Sequence, residues 1–419
     1  MQNNHNFWST QPVGNGKTNE AIKIPKNVST KVTPLPPTFY FKNLTLNNIN
    51  IIHDLLSENY VQDNSGKYRL LYSIDFLKWQ FSGFSIMLGV FQNDELVGFS
   101  LGKKHKIVVN GVCEDSLSVN FLCLKINLRK KNLAPLIIQE MTRQANLVGI
   151  FRAVFTAGLV LPFKVASARY FHRVINEEKM HRLYDEKHEK IDLDNFDPEK
   201  NENNNIKKKE SRSKNSNITE EIKINTNCRS NDKIKEKSIG KNSDLQDIKK
   251  EFETYFYHDI DTNTIYKSVE NSEFKKIYEI YEKESTEYGL YEKTCLERFE
   301  EITKPIENVL YTLVSTKNGI IKGFISFFII DTLIVTKNTK IKGAYLYHLY
   351  GENKAELVHH AIKYAETINA DIFNCISIGK YFEFIGKLSF KPGDGVLNYY
   401  LFNWDVLPIP SSYISFTLP

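Results

Sequence analysis

The sequence predicts an α/β protein with mixed helices and strands on a mixed sheet (α+β in its strand directions), arranged as two pseudo-duplicated halves with a low-complexity insertion between them. Three observations carry this expectation. One order of helical and strand-like segments occurs twice, a short echo falls in equivalent strands of the two copies, and residues 201–250 lack the apolar periodicity found on either side.

In the first half, residues 47–58 carry Ile49, Ile52, Leu55 and Leu56 at helical spacing. Strand-like runs follow at 86–91, 96–102, 106–109 and 116–124. The pairs Asn93-Asp94 and Asn110-Gly111 between them accept the positive φ angles of tight hairpin turns. Pro135 suits the first turn of a helix to about residue 148, because its missing N–H has no partner there anyway; Leu136, Ile137 and Met141 face inward. Residues 153–157 read as another strand. The second half repeats the order, with strands at 309–314, 321–329 and 343–349, a helix at 353–368 and a strand at 371–376. Val97-Gly98-Phe99-Ser100 is echoed by Lys322-Gly323-Phe324-Ile325-Ser326. A last hairpin is predicted to turn at Gly393-Asp394-Gly395 and return through an aromatic strand at 397–404.

The 419 residues are enough for two domains or one large duplicated one. The net charge of +5 suggests nucleic-acid binding until it is located. Residues 201–250 hold 13 Lys and Arg against 8 Asp and Glu, with ten Asn and no aromatic residue, so the excess sits in a tract expected to be disordered and not on a folded basic face. No specific nucleic acid is therefore expected as a partner. Five cysteines (Cys113, Cys123, Cys228, Cys295, Cys375) form no CxxC pair, and neither a secretory leader nor a membrane-length apolar run is found. The expectations are a cytoplasmic protein with no transmembrane segment and no metal, and a monomer. The divisions expected are an arm at 1–38, a first half at 39–190, the insert at 191–250 and a second half at 251–419.

Duplicated units of this order suit the acetyltransferase-like fold, in which the pyrophosphate of an acyl carrier meets backbone N–H groups at a helix N-terminus. The candidate is Arg129-Lys130-Lys131-Asn132-Leu133-Ala134, between the 116–124 strand and the Pro135 helix. It lacks the glycines of dinucleotide and P-loop motifs and reads equally as a solvated cap.

Six strings, in order and spaced from one end of the chain to the other, resemble motifs of the N-myristoyltransferases. They are Phe7-Trp8-Ser9-Thr10-Gln11-Pro12-Val13, Glu58-Asn59-Tyr60-Val61, Asn120-Phe121-Leu122-Cys123, Thr156-Ala157-Gly158, Arg169-Tyr170-Phe171-His172-Arg173, and Gly393-Asp394-Gly395 with Tyr399-Tyr400-Leu401-Phe402-Asn403-Trp404. The resemblance implies two acetyltransferase-like (GNAT-like) halves and transfer of a myristoyl group from myristoyl-CoA, a co-substrate and not a bound cofactor, to acceptor proteins with an N-terminal glycine. It implies an oxyanion hole from the backbone N–H groups of Phe121 and Leu122, a base supplied by the terminal carboxylate at Pro419, and Thr156 holding the amine. Acyl-CoA would meet the arm through Phe7 and Trp8, and would further meet Phe121, Leu122, Cys123 and the 129–134 turn; the first half would bind it. The acceptor peptide would meet Val61, Tyr68, Tyr72, Tyr170, His172, Ser326, Tyr345, Asp394 and Gly395, with the second half binding it. Cys123 is otherwise a small buried hydrophobe, since no His–Cys spacing argues for an activated thiol.

Where the family carries an acidic run, this chain has Gln62, Asp63, Asn64, Ser65, Gly66 and Lys67, so a preference for basic acceptor residues is expected to weaken. The segment from Trp79 to Gly89 is shorter than the family's, Val396 replaces a residue more often polar, and the match is poor from Glu177 into the insert. Rival readings are an acyltransferase of other acyl or amine specificity, and a non-catalytic module that binds acyl-CoA or N-terminal peptides. Tethering to ribosomes or membranes through 201–250 could accompany any of them.

Overall fold

The computed structural model describes residues 7–13, 24–25, 27–60, 66–158, 160–184 and 264–419; the expected insert, Val61 and the segment 62–65 lie outside them. In the first half, β1 (Phe39–Asn43), β3 (Ser85–Gln92), β4 (Glu95–Val109) and β5 (Val112–Leu124) run antiparallel side by side. After α3 (Leu133–Leu147), β6 (Arg152–Ala157) joins β5 in parallel. The second half repeats this with β8 (Thr264–Ser268), β10 (Leu310–Lys317), β11 (Ile320–Ile334), β12 (Thr339–Gly351), α7 (Lys354–Thr367) and β13 (Ile372–Ile376), again with a parallel last pair. The expected mixed fold of two duplicated halves is the one found, and the glycines of the echo, Gly98 and Gly323, occupy matching places in β4 and β11.

The halves exchange strands. β7 (Ala166–Val174) follows β6 in sequence but pairs with β13, whereas β14 (Lys391–Phe402) follows β13 and pairs with β6; the two exchanged strands pair with each other. A second exchange has the same symmetry. β2 (Tyr68–Leu71) extends β11 at Asp331–Ile334, and β9 (Leu290–Lys293) extends β4 at Lys106–Val109. One continuous sheet results, ordered β1-β3-β4-β5-β6-β14-β7-β13-β12-β11-β10-β8. Helices α1 (Ile49–Asn59) and α2 (Ile74–Phe81) bury Ile52, Leu56, Phe76 and Leu77 on one face of the first half, while α3 buries Leu133, Ile137 and Met141 on the other. The remaining helices are α4 (Glu177–Tyr184), α5 (Phe274–Ser285) and α6 (Leu296–Thr303).

The arm is pinned to α3 by charge. Glu140, fully buried, accepts from Arg143 at 2.6 and 2.9 Å, from Gln144 at 2.9 Å and from the Thr33 N–H at 2.9 Å. Burial alone would raise its pKa, but these donors outweigh it and hold the carboxyl down at about 2.

Two sequence expectations are corrected. The runs 96–102 and 106–109 are one strand, β4, because the charged residues between them are satisfied across the sheet: Lys104 Nζ lies 2.7 Å from Asp115 of β5. The expected hairpin at 393–395 is also absent. Residues 391–402 are one strand with a bulge, its register against β7 shifting between Pro392 and Val396. The glycines serve close approach and not a turn: a Cβ on Gly393 would lie 2.2 Å from His172 Nε2, and one on Gly395 would lie 3.0 Å from the Tyr170 ring.

Gly351, at the end of β12, has φ +94°, and a Cβ there would fall 2.3 Å from the Lys322 carbonyl oxygen and 2.4 Å from Gly323 Cα. Neither backbone atom can move without breaking the β11–β12 ladder. Gly351→Ala should therefore lose at least about 2 kcal/mol in urea denaturation, from backbone strain and overlap together. Gly111→Ala, with φ +84° but no heavy atom within 4 Å, should lose only the strain component.

Candidate active site

The site begins where two parallel strands part. β5 and β6 are paired at Ser116–Ser118 and Arg152–Val154, after which β6 continues along β14. Val119 to Leu122 and Phe155 to Ala157 then form the arms of a fork around a cavity of about 480 Å³. Its helical wall is the second face of α3, where Ala134, Ile138 and Thr142 recur every four residues. Phe7 and Trp8 of the arm form another wall. Trp8 stacks on Phe155 at 5.3 Å, and Phe155 on Tyr400 at 5.1 Å. Backbone bonds fix the arm, with the Asn403 N–H donating to the Pro12 carbonyl at 2.7 Å. The lining is mainly apolar and the size is that of a small-molecule site, so a hydrocarbon chain is a suitable occupant.

At the base of the fork β5 bulges. Cys123 faces Phe99 and Asn120 faces Leu101, leaving Phe121 and Leu122 opposite a single residue, and Phe121 takes φ +53°. A left-handed Phe costs about 1–2 kcal/mol; its ring is buried against Tyr60, Tyr72 and Phe81 at 5.2 to 5.7 Å. The Phe121 N–H donates to Asn120 Oδ1 at 2.8 Å and to Tyr60 Oη at 3.2 Å, while the Tyr60 hydroxyl donates to Asn120 Oδ1 at 3.0 Å. Asn120 Nδ2 donates to the Pro419 oxygen at 2.8 Å. Chain end, Asn120, Tyr60 and Phe121 thus form one network, three of whose members line the cavity.

The tail reaches this point along a defined path. The Gly289 N–H donates to the Tyr413 carbonyl at 2.8 Å, β15 (Ile414–Ser415) pairs in parallel with β9, and the Phe416 carbonyl accepts from the Tyr399 hydroxyl at 2.9 Å.

The other sequence candidates are placed as follows. Thr156 lines the cavity opposite Tyr399 of β14. Cys123 is buried, which pushes its thiol up to about 12. Arg129, Lys130, Asn132, Leu133 and Ala134 edge a hollow of about 200 Å³ at the start of α3, with Lys131 exposed beside them. Arg129 is already committed in part, since its guanidinium donates to the carbonyls of Asn59 and Leu124. Lys130 and Asn132 have φ +64° and +59°, and Asn132 gives the helix no side-chain cap. Tyr72, Tyr170 and Tyr345 gather near Tyr60; burial, then Tyr345, holds the Tyr170 hydroxyl at about 12. His172 Nδ1 lies 2.6 Å from Asn374 Oδ1, Arg169 Nε donates to the Gly393 carbonyl at 2.8 Å, and Asp394 and Gly395 are exposed. Tyr68 starts β2, half-buried. Ser326 is apart from these: it is fully buried, with its hydroxyl 2.9 Å from that of Thr312.

Sequence reading missed the roles of Tyr60 and Asn120, although both lie in quoted strings; an Asn inside an otherwise apolar strand was the available signal. It also missed Lys103, which is 6% exposed in mid-strand. Burial above all, then the Arg298 charge, lowers its pKa to about 7. Among the described residues no group of His, Cys, Asp and Glu is placed to share a metal ion, and no helix is long and apolar enough to cross a membrane.

A forked mixed sheet of two GNAT-like halves around an apolar cavity defines an acyltransferase. The family profile described as Myristoyl-CoA:protein N-myristoyltransferase, N-terminal domain, matches residues 19–168, and its C-terminal domain counterpart matches residues 238–415. Glycylpeptide N-tetradecanoyltransferase 2 of Danio rerio is 27% identical, over 99% of this chain and 77% of its own length. Glycylpeptide N-tetradecanoyltransferase of Saccharomyces cerevisiae is 28% identical, over 97% and 87%. The fold matches the crystal structure of Saccharomyces cerevisiae N-myristoyltransferase with bound myristoyl-CoA with a TM-score of 0.76, at 23% identity and over the whole of both chains. The chain belongs to the N-myristoyltransferase family.

Lys103 provides a test of the electrostatics beside this site. Its folded pKa of about 7 lies below the unfolded value of about 10.5, so unfolding takes up a proton between these two pH values. The lysine's cost is greatest below pH 7 and fades toward pH 10.5. Lys103→Met should stabilise the protein by about 1–4 kcal/mol at pH 7. That gain should shrink steadily in denaturation curves taken from pH 7 to 10.

Proposed function

We propose that the chain transfers a myristoyl group from myristoyl-CoA to the α-amine of an N-terminal glycine by direct attack, with the Pro419 terminal carboxylate as base. The observation that carries this reading is the 2.8 Å bond from Asn120 to Pro419 at the junction of the apolar cavity and the Phe121 bulge. An α-amine of pKa near 8 is mostly protonated at neutral pH and must lose a proton before it can attack. A carboxylate at the end of the cavity can take that proton. The amine nitrogen then bonds to the thioester carbon, the carbonyl oxygen gains charge, and collapse breaks the C–S bond to release the CoA thiolate, which takes up the second proton that the nitrogen sheds as it becomes an amide.

The N–H groups of Phe121 and Leu122 are suited to receive the developing oxyanion, a contribution of about 3 kcal/mol for one well-aimed donor. Because Asn120 Oδ1 already accepts from Phe121, the thioester oxygen must share or replace that bond, leaving Oδ1 with the Tyr60 hydroxyl. Thr156 faces the same space as a hydroxyl for the amine.

In this reading the arm at 1–38 covers the acyl-CoA, the half at 39–190 binds it, and the half at 251–419 binds the acceptor. The cavity lining supports the division, coming from the first half and the arm apart from Phe402. Phosphates of the CoA would meet Lys130, Lys131 and the first N–H groups of α3, with Arg129 contributing what its carbonyl bonds leave free. The acceptor would run past Tyr68, Tyr72, Tyr170, His172, Tyr345, Asp394 and Gly395, and past Val61 outside the described residues. Ser326 would act from beneath that surface, through Thr312. A cytoplasmic setting belongs to the same proposal, supported by the free thiols of Cys113, Cys123, Cys295 and Cys375.

Transfer of labelled myristoyl from its CoA ester should occur to peptides beginning with Gly and not with Ala. Adding a few residues beyond Pro419 should abolish turnover while acyl-CoA still binds. Binding with no turnover in the unextended protein would instead mark a binding module. Thr142→Phe, which narrows the cavity from α3, should shift the kcat/KM preference toward shorter acyl chains by about tenfold or more, read from competing chain lengths.

A further inference from the structure

We infer that His105 is a positioning residue for the terminal carboxylate, an imidazole in β4 that ties β5, β9 and the tail together so that Pro419 meets Asn120. The inference rests on the reading of Pro419 as base. His105 Nδ1 lies 2.8 Å from Glu292 Oε1 in β9, and Nε2 lies 2.9 Å from Ser118 Oγ in β5. The His105 and Glu292 side chains are only 9% and 10% exposed. The ring meets Phe416 edge to face, with centroids 5.7 Å apart.

Each of these contacts bears on the chain end. β9 is the strand on which the tail lies, Ile414 beside Leu290 and Ser415 beside Tyr291. Ser118 precedes by two residues the Asn120 that holds Pro419. Phe416 is the last fully buried residue of the tail, its carbonyl fixed by Tyr399 and its ring by His105. The tail on β9 and Asn120 on β5 are thus held on opposite sides of β4, and His105 braces that arrangement with one hydrogen bond to each neighbour.

Glu292 is suited to its part. Burial would raise its pKa, but His105, Arg298 and Lys103 outweigh that and keep it below the usual carboxylate value, so a charged acceptor faces Nδ1–H. Ser118, His105 and Glu292 also have the order of a nucleophile, base and acid. Ser118 does not serve as nucleophile here: it is 3% exposed, and the strand residues on either side of it, Leu117 and Val119, are the ones that line the acyl cavity.

The test compares wild type, His105→Ala, His105→Gln and Ser118→Ala in myristoyl transfer to a Gly peptide from pH 7 to 9, with acyl-CoA affinity measured separately. His105→Ala should lower kcat at pH 7 by about tenfold or more per folded molecule, with the Kd for myristoyl-CoA unchanged. Most of the loss should be recovered by pH 9, where an acceptor amine of pKa near 8 is already neutral and a misplaced base matters less. His105→Gln, which keeps a donor and an acceptor, should recover part at pH 7. Should His105→Ala fail to fold, Ser118→Ala removes one tether alone and should show a smaller loss with the same pH recovery. Unchanged kcat in the folded variants overturns the role of His105, as does a myristoyl adduct on Ser118. Wild-type activity that survives extension past Pro419 overturns instead the reading on which it rests.

Discussion

β6 is paired on one edge with β14 from Ala153 to Ala157 but on the other with β5 only as far as Val154, so the sheet opens between β5 and β6 at that point. An opening inside a continuous sheet would ordinarily leave backbone N–H and C=O groups without partners. On the β5 side the Phe121 bulge meets the gap, and Asn120 and Tyr60 take up its N–H. The exchanged strand β14 continues the sheet along β6 past the point where β5 leaves it, so both arms of the fork remain parts of one sheet. A half folding alone would lack the strand that pairs the outer edge of β6.

The two halves share this plan but use it differently. In the second half α7 buries Leu357, Val358, Ala361, Ile362 and Ala365 against the sheet. In the first, α3 buries Leu133 and Ile137 in the core, while Ala134, Ile138, Met141 and Thr142 line the cavity. The same duplication places β9 on β4, and β9 is the surface that guides the tail.

Much of this was legible in the sequence because it depends on local chemistry. Asn93-Asp94 and Asn110-Gly111 all take positive φ, as tight turns require. The element order showed the duplication. The exchange was not legible, since apolar alternation says that a strand exists and not which half it joins. Gly393-Asp394-Gly395 misled for a related reason: glycine allows a turn and also a close approach, and only the positions of His172 and Tyr170 decide between them. Lys103 and His105 broke the pattern of β4 because their burial is made tolerable by residues far away in sequence, on β9 and α6. The bulge at Phe121 lies in a string the sequence singles out, whereas the bonds that Asn120 makes to Pro419 and Ser326 makes to Thr312 depend on partners on other strands or at the chain end.

The buried charges separate structural from site roles. Glu140 collects four hydrogen bonds in a satisfied network, and its pKa falls accordingly; such a group anchors the arm and needs no other explanation. Lys103, on the face of β4 toward the tail, has the opposite character: burial pushes its proton off near neutral pH. Glu292 lies between the two, its desolvation offset by His105, Arg298 and Lys103. An apolar strand would be the more stable choice there. Placing costly charge on the strands that fix the chain end exchanges stability for a defined geometry, which is the pattern expected where position, and not packing, is what the site requires.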